Sequence, residues 1–123
     1  MQTEAIEDYL KAIYELQTEQ SETKVSTTAL AKRLRVAPAS ATGMLQHLSE
    51  LGLVTYAPYH GVTLTEEGRQ SAVDIIHRHE VIEQYLVSTV GLPEPQAHRD
   101  AERWEHLVSP ELQHRMESLN SKD

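Results

Sequence analysis

The chain has 123 residues, a formal net charge of −8 and no cysteine. This length suits one compact domain or two small domains that share a core. The lack of cysteine excludes disulfide bonds, thiolate zinc sites and cysteine nucleophiles. No apolar run approaches the length of a membrane span, and the first segment, MQTEAIEDYL, lacks the features of a signal peptide, so we expect a cytoplasmic protein.

The charge is unevenly distributed along the chain. Residues 24–60 contain four basic residues and one acidic residue, a net charge of +3, which leaves −11 on the rest of the chain. A basic segment within an acidic chain indicates one surface that binds an anion and another surface that is rich in carboxylates.

The sequence of the first half of the chain predicts three helices and a two-stranded β-ribbon. Apolar residues spaced three and four apart predict a first helix in EAIEDYLKAIYELQ. We expect Ser26 or Thr27 to cap a short helix that ends near Leu34, and Pro38 to begin a longer helix that ends before Gly52. The segment LVTYAPYHGVTLT alternates apolar and polar residues around a Pro-x-x-Gly turn, which predicts two strands.

The second half of the chain predicts helices only. A long helix is expected to follow Thr65 and to end at Gly91. Another is expected to start at one of the prolines at positions 93 and 95 and to continue through Trp104 to Val108. A short last helix follows the Ser-Pro pair at positions 109 and 110.

This order of elements predicts a mainly α-helical protein. A short helix, a turn, a longer helix and a ribbon form a winged helix-turn-helix with a two-stranded wing, which we place at residues 1–68. Residues 69–123 are predicted to form a second domain made of helices.

The basic segment is predicted to bind DNA. In a winged helix-turn-helix the second helix of the motif enters the major groove, where small residues allow a close approach and hydroxyl groups bond to phosphates or base edges. Basic side chains and the tip of the wing contact the DNA backbone. The predicted DNA-binding residues are Lys32, Arg33, Arg35, Pro38, Ala39, Ser40, Thr42, Gly43, Tyr59 and His60. Two alternatives stay open. The small residues can serve only to cap the helix or to ease packing, and the basic residues can form an ordinary solvated surface.

The segment HRDAERWEH is rich in potential metal ligands. Glu102, Glu105 and His106 follow one another at i, i+3 and i+4, which predicts that they project from one helix face. Two carboxylates and an imidazole suit a divalent cation. His98 lies one turn earlier in the same segment.

A second group of potential ligands lies on the preceding helix. His79 and Glu83 stand at i and i+4, and Asp8 offers a further carboxylate on the first helix. Such pairs are also common as surface ion pairs, which is the alternative interpretation, but two clusters on adjacent helices favour a metal site. The chain has no H-E-x-x-H motif, Ser/His/Asp set or Gly-rich phosphate loop, so we do not expect an enzyme.

The chain resembles the metal-dependent transcriptional repressors of the diphtheria-toxin-repressor family, especially their manganese-responsive branch. IEDYLKAIYEL resembles the first helix of that family, VAPASATGMLQHLSELGLV its recognition helix, and GVTLTEEG its wing. HRHEVIEQYL and AERWEHLVS resemble its metal-bearing segments. The resemblance covers nearly all of residues 3–119.

The resemblance implies a homodimer that represses genes of metal homeostasis, with residues 69–123 as its helical dimerisation and metal-binding domain. Such a dimer binds an operator with two half-sites when it is loaded with Mn²⁺ or Fe²⁺. The resemblance places a primary metal site at Asp8, Glu102, Glu105 and His106, and a second site at His79, Glu83 and His98. Manganese-responsive relatives carry Asp and Glu at the positions of Asp8 and Glu102, where iron-responsive relatives carry Met and Cys, so Mn²⁺ is favoured.

The chain departs from the family pattern in two respects. Lys11 occupies a position where some manganese-responsive relatives place a Glu that joins two metal ions, so two separate sites are expected. Many relatives also have a C-terminal SH3-like domain that can complete the second site; a short family member and a piece of a longer protein are both open. The alternative functions are a metal-independent winged-helix regulator and a metal-binding module without a role on DNA.

Overall fold

Six α-helices, one π-helical segment and one two-stranded sheet make up the computed structural model, which describes residues 3–121. The elements are α1 (Glu4–Gln20), α2 (Thr27–Leu34), α3 (Pro38–Glu50), β1 (Val54–Ala57), β2 (Gly61–Leu64), α4 (Glu66–Tyr85), the π-helical segment (Leu86–Val90), α5 (Glu94–Trp104) and α6 (Pro110–Asn120). The mainly α-helical class with an N-terminal winged helix-turn-helix is confirmed.

The chain divides into two compact units within α4. The first unit extends to Val73 and the second begins at Asp74. The domain boundary placed after residue 68 stays a prediction. None of the helices in residues 3–121 combines the length and the apolar character that a membrane crossing requires.

Side-chain caps begin α1, α2 and α6. Thr3, Ser26 and Ser109 each accept a hydrogen bond from the backbone N–H three residues later, at the starts of α1, α2 and α6. Such a cap satisfies one of the N–H groups that a first helical turn leaves unpaired. The structure therefore selects Ser26, rather than Thr27, as the cap of α2.

The first unit is built around one apolar core. Leu10 and Ile13 of α1, Leu30 of α2 and Leu45 of α3 are completely buried in it. The strands β1 and β2 are antiparallel, and an isolated bridge joins β2 to the residues before α2 at Val25. Because the core lies on one side of α3 and the wing, the other side of each is left in solvent.

A close approach of two backbones fixes the start of α4. The Thr65 hydroxyl accepts a hydrogen bond from the Gly68 N–H at 3.1 Å and donates one to the Gly52 carbonyl at 2.8 Å. A Cβ atom at Gly68 would lie only 2.0 Å from the carbonyl oxygen of Leu53. Only a glycine therefore allows the first turn of α4 to pack this closely against the backbone of Leu53, the residue before β1.

The second unit has a smaller core of its own. The core side chains come from the later part of α4, the π-helical segment, α5 and α6: Val81, Ile82, Leu86, Ala97, Ala101 and Met116. The helix predicted to continue to Val108 is shorter than expected, because α5 ends at Trp104. The Leu107 N–H donates to the Trp104 carbonyl three residues earlier, and a turn follows α5. Glu105 is the C-cap of α5 with helical backbone angles, and His106 lies in the turn beyond it, so the prediction of one helix continuing through both residues was wrong.

Candidate metal centre and DNA-binding surface

The N-terminal part of α3 presents small residues to solvent. Pro38, Ala39, Ser40 and Gly43 are exposed and Thr42 is partly exposed, while Ala41 on the opposite side is completely buried. The N-cap of α3 is residue 37, an alanine, and no side chain caps the helix there. Neither Ser40 nor Thr42 therefore serves as the N-cap, which removes one alternative explanation for their hydroxyl groups.

Gly43 lies in the interior of α3 without a steric reason of its own. A Cβ atom built at this position meets no atom of the described residues within 4 Å. Glycine in an exposed helix interior costs about 1 kcal/mol relative to alanine. The fold alone does not require this glycine. A partner that packed closely against the helix backbone would require it, because a side chain would stand in the way.

The three basic residues near the helix-turn-helix differ in their surroundings. The Arg33 guanidinium lies 2.6 Å from Glu19 and 3.7 Å from Glu15, both on α1. The hydrogen bond to Glu19 raises the pKa of Arg33. Lys32 is exposed, and Arg35 is exposed in the turn before α3 with a φ of 57°. Arg33 therefore joins α2 to α1, and Lys32 and Arg35 are better placed to contact phosphates.

The tip of the wing carries an aromatic residue in an unusual conformation. Tyr59 is fully exposed, has a φ of 68°, and is followed by the exposed His60. The His60 N–H donates to the Ala57 carbonyl at 3.0 Å and closes the turn. Left-handed backbone at a bulky residue is uncommon and tends to accompany functional sites. The turn places a large side chain where a partner of the wing would meet it.

Three potential metal ligands converge within the second unit. His79 and Glu83 lie one turn apart on α4, and His98 lies on α5. The Nε2 atom of His79 is 2.8 Å from Oε1 of Glu83 and 3.2 Å from Nδ1 of His98. Glu83 Oε1 and His98 Nδ1 are 2.9 Å apart. The structure thus brings together all three residues that were predicted for the second site.

These three atoms have the spacing of ligands that share one cation. Neighbouring donors about 2.1 Å from an octahedral ion lie about 3 Å from one another. Burial raises the pKa of Glu83, but hydrogen bonds from His98 and His79 outweigh that effect and hold the pKa below its usual value. The carboxylate therefore stays charged near neutral pH. Two imidazoles and one carboxylate fit a divalent transition-metal ion and leave further coordination positions open.

Two further carboxylates contact the outer nitrogens of the two histidines. Glu105 Oε1 lies 2.7 Å from His79 Nδ1, and Glu102 Oε1 lies 3.0 Å from His98 Nε2. Carboxylate partners of this kind orient metal-binding histidines in proteins. The sequence did not indicate the contact between Glu105 and His79, because spacing along the chain carries no signal for it.

The residues of the predicted primary site lie in both units. Asp8 belongs to α1 in the first unit, Glu102 to α5, and Glu105 and His106 to the turn that follows α5. Glu105 Oε2 lies 3.7 Å from His106 Nε2. The grouping of these residues with Asp8 around one ion stays a prediction.

Two family models match nearly the whole chain. The N-terminal DNA-binding domain of iron-dependent repressors matches residues 1–62. The metal-binding and dimerisation domain of iron-dependent repressors matches residues 65–122.

Known proteins similar to this chain include transcriptional regulators. An uncharacterized HTH-type transcriptional regulator of Methanocaldococcus jannaschii is 39% identical over 98% of this chain and 95% of its own length. The HTH-type transcriptional regulator MntR of Geobacillus kaustophilus is 38% identical over 89% of this chain and 75% of its own.

Solved structures resemble the chain as well. A manganese-dependent transcriptional repressor in complex with manganese is 37% identical, and 96% of this chain superimposes on it with a TM-score of 0.84. This chain spans about half of that structure, 53% of its length.

Proposed function

We propose, on the premise that this chain belongs to the iron-dependent repressor family, that it binds operator DNA as a homodimer and represses transcription when it carries Mn²⁺ or Fe²⁺. Members of that family and the relatives described above are transcriptional regulators and not enzymes. The convergence of His79, Glu83 and His98 within 3.2 Å is the observation that carries the metal dependence.

The donor chemistry favours Mn²⁺ as the activating ion. The predicted ligands Asp8, Glu83, Glu102 and Glu105 offer carboxylate oxygens, and the chain has no cysteine to select a softer ion. MntR regulators are among its relatives, and one of the similar structures contains manganese. A bound divalent cation supplies positive charge that neutralises these carboxylates.

The DNA-binding surface is proposed to be the exposed side of α3 together with the wing. Small residues and the bare backbone at Gly43 allow α3 to enter a groove closely, and Ser40 and Thr42 offer hydroxyl groups there. Lys32 and Arg35 supply charge for phosphate contacts, and Tyr59 and His60 extend the surface at the wing.

Metal binding and DNA binding are proposed to favour one another. In the predicted primary site, Asp8 comes from the DNA-binding domain, and Glu102, Glu105 and His106 come from the metal-binding domain. One ion that is held by ligands from both domains restricts the conformational freedom of the protein before DNA binds. DNA binding then costs less conformational entropy. This coupling rests on the family resemblance.

Chelation is expected to weaken operator binding. Genomic fragments that the purified protein selects in Mn²⁺ supply the operator, and fluorescence anisotropy then gives its affinity with Mn²⁺ or with EDTA at fixed ionic strength. We expect a loss of about tenfold or more on chelation, since allosteric coupling between two sites has this size. Equal affinities would instead indicate a metal-independent winged-helix regulator.

Asp8→Ala provides the matched variant for that experiment. It is expected to retain the helical content and the dimer of the wild type but to lose the Mn²⁺ response of operator binding. A wild-type response in Asp8→Ala would contradict the proposed primary site while leaving metal-dependent DNA binding intact.

The salt dependence of binding should separate the three basic residues. A plot of log affinity against log salt has a negative slope. Lys32→Ala and Arg35→Gln should each make this slope shallower by about 1, because each removes one phosphate contact. Arg33→Ala should change the slope less, since Glu19 and Glu15 already engage its guanidinium. Anisotropy titrations over a range of salt concentrations measure the slopes, and equal slopes for all three variants would contradict this assignment.

The dimer is expected to depend on exposed apolar residues of the second unit. Trp104, Leu107 and Leu112 are large apolar side chains that remain 42%, 80% and 46% exposed in the single chain. Leu107→Glu should weaken dimerisation about tenfold or more, because it places a charge in an apolar contact. Sedimentation velocity measures this, and Leu51→Glu, at an exposed position in the first unit, is the control that should leave the dimer unchanged.

A further inference from the structure

Glu105 is a charged residue in an almost inaccessible position. It is only 1% exposed, although it lies in a surface turn after α5. The guanidinium of Arg78 donates to the Glu105 backbone carbonyl at 2.8 Å and so holds the turn in place. A buried carboxylate is costly unless it is paired, and His79 Nδ1 at 2.7 Å is one such partner.

The imidazole N–H groups are too few for the contacts that they make. His79 and His98 together make four contacts to carboxylates, namely to Glu105, Glu102 and, through one nitrogen of each ring, to Glu83. Two neutral imidazoles have only two N–H groups between them. A cation bound at the three converging atoms would take the place of the two missing protons.

The outer carboxylates decide which nitrogens face that cation. A proton on His79 Nδ1 that is donated to Glu105 leaves the lone pair of Nε2 directed at Glu83 and His98. A proton on His98 Nε2 that is donated to Glu102 leaves the lone pair of Nδ1 directed at the same place. With these tautomers the contacts to Glu105 and Glu102 are hydrogen bonds, and the three converging atoms offer only lone pairs, which a bound cation would satisfy.

We infer that Glu105 is a positioning residue of the site formed by His79, Glu83 and His98, because it fixes the tautomer and ring orientation of His79. Glu102 has the same relation to His98, but both of those side chains are about half exposed, so solvent weakens their contact. The contact between Glu105 and His79 is buried, and its removal therefore has the larger effect.

Glu105 also connects the two groups of predicted ligands. Its Oε1 holds His79 of the second site, and its Oε2 lies 3.7 Å from His106, which is predicted for the primary site. This inference rests on the proposed function, since it requires the chain to bind a divalent cation. It adds that the two sites share one carboxylate.

Mn²⁺ binding in an Asp8→Ala background isolates the second site. Electron paramagnetic resonance measures free and bound Mn²⁺, and Glu83→Ala in this background should abolish the remaining binding, which assigns that binding to the second site. Glu105→Ala in the same background should weaken it about 10- to 100-fold, the usual effect of losing such a partner. Glu105→Gln keeps an acceptor oxygen and should recover part of the loss, and Glu102→Ala should cost less than Glu105→Ala.

A second measurement keeps Glu105 unchanged and so does not depend on how its variants fold. Nitrogen-15 NMR of the Asp8→Ala protein with diamagnetic Cd²⁺ should show His79 bound through Nε2 and protonated at Nδ1. Coordination through Nδ1, or unchanged Mn²⁺ affinity in folded Glu105→Ala, would overturn the inference alone. A wild-type chain that binds no Mn²⁺ would overturn the proposed function together with it.

Discussion

Gly68→Ala should destabilise the protein by about 3 kcal/mol, the upper part of the range for side chains forced into packed positions. The new methyl group would lie 2.0 Å from the Leu53 carbonyl oxygen, and that oxygen belongs to backbone that cannot rotate away. Either α4 must move from β1 or the hydrogen bonds around Thr65 must break. Urea denaturation followed by circular dichroism measures the loss.

Gly43→Ala is the matched control, because both glycines lie within helices of the first unit. No described atom lies within 4 Å of the added methyl group at Gly43, so the higher helix propensity of alanine should stabilise the protein by up to about 1 kcal/mol. The same variant should bind operator DNA more weakly if α3 approaches DNA there. Destabilisation by Gly43→Ala, or stability unchanged in Gly68→Ala, would contradict this account of the two positions.

His79→Ala should cost both stability and a bound ion. Its imidazole is buried, and its loss removes the partner of the buried Glu105 carboxylate. Hydrogen bonds to charged groups contribute about 1.5–3 kcal/mol, so we expect a loss in that range together with the loss of one Mn²⁺ per chain. Thermal denaturation in EDTA gives the change in the free energy of unfolding without the contribution of the metal. Equilibrium dialysis gives the number of bound ions.

His98→Ala separates these two effects. Its side chain is 53% exposed, so its removal should change the stability of the metal-free protein by no more than about 0.5 kcal/mol. It should nevertheless lose the same ion, since His98 Nδ1 is one of the three converging atoms. Equal losses of stability in the two variants would show that the Glu105 contact contributes little to the fold.

The sequence by itself determined the features that depend on local spacing. Three features are properties of short segments, and the structure contains each of them. They are the apolar spacing of α1, the cap of α2 and the proline of α3 that begin those helices, and the turn between β1 and β2. His79 and Glu83 at i and i+4 share a helix face for the same reason, because helical geometry sets the angle between them. The family resemblance extended this local pattern to His98.

Only the tertiary structure decided which side chains from different segments meet. The pairing of Arg33 with Glu19, the contact of Gly68 with Leu53 and the contact of Glu105 with His79 join residues that lie far apart along the chain. Spacing gives a direction around one helix axis, whereas packing sets the distance between two elements. The turn after α5 is a further example, since the Arg78 guanidinium of α4 donates to the Glu105 carbonyl there.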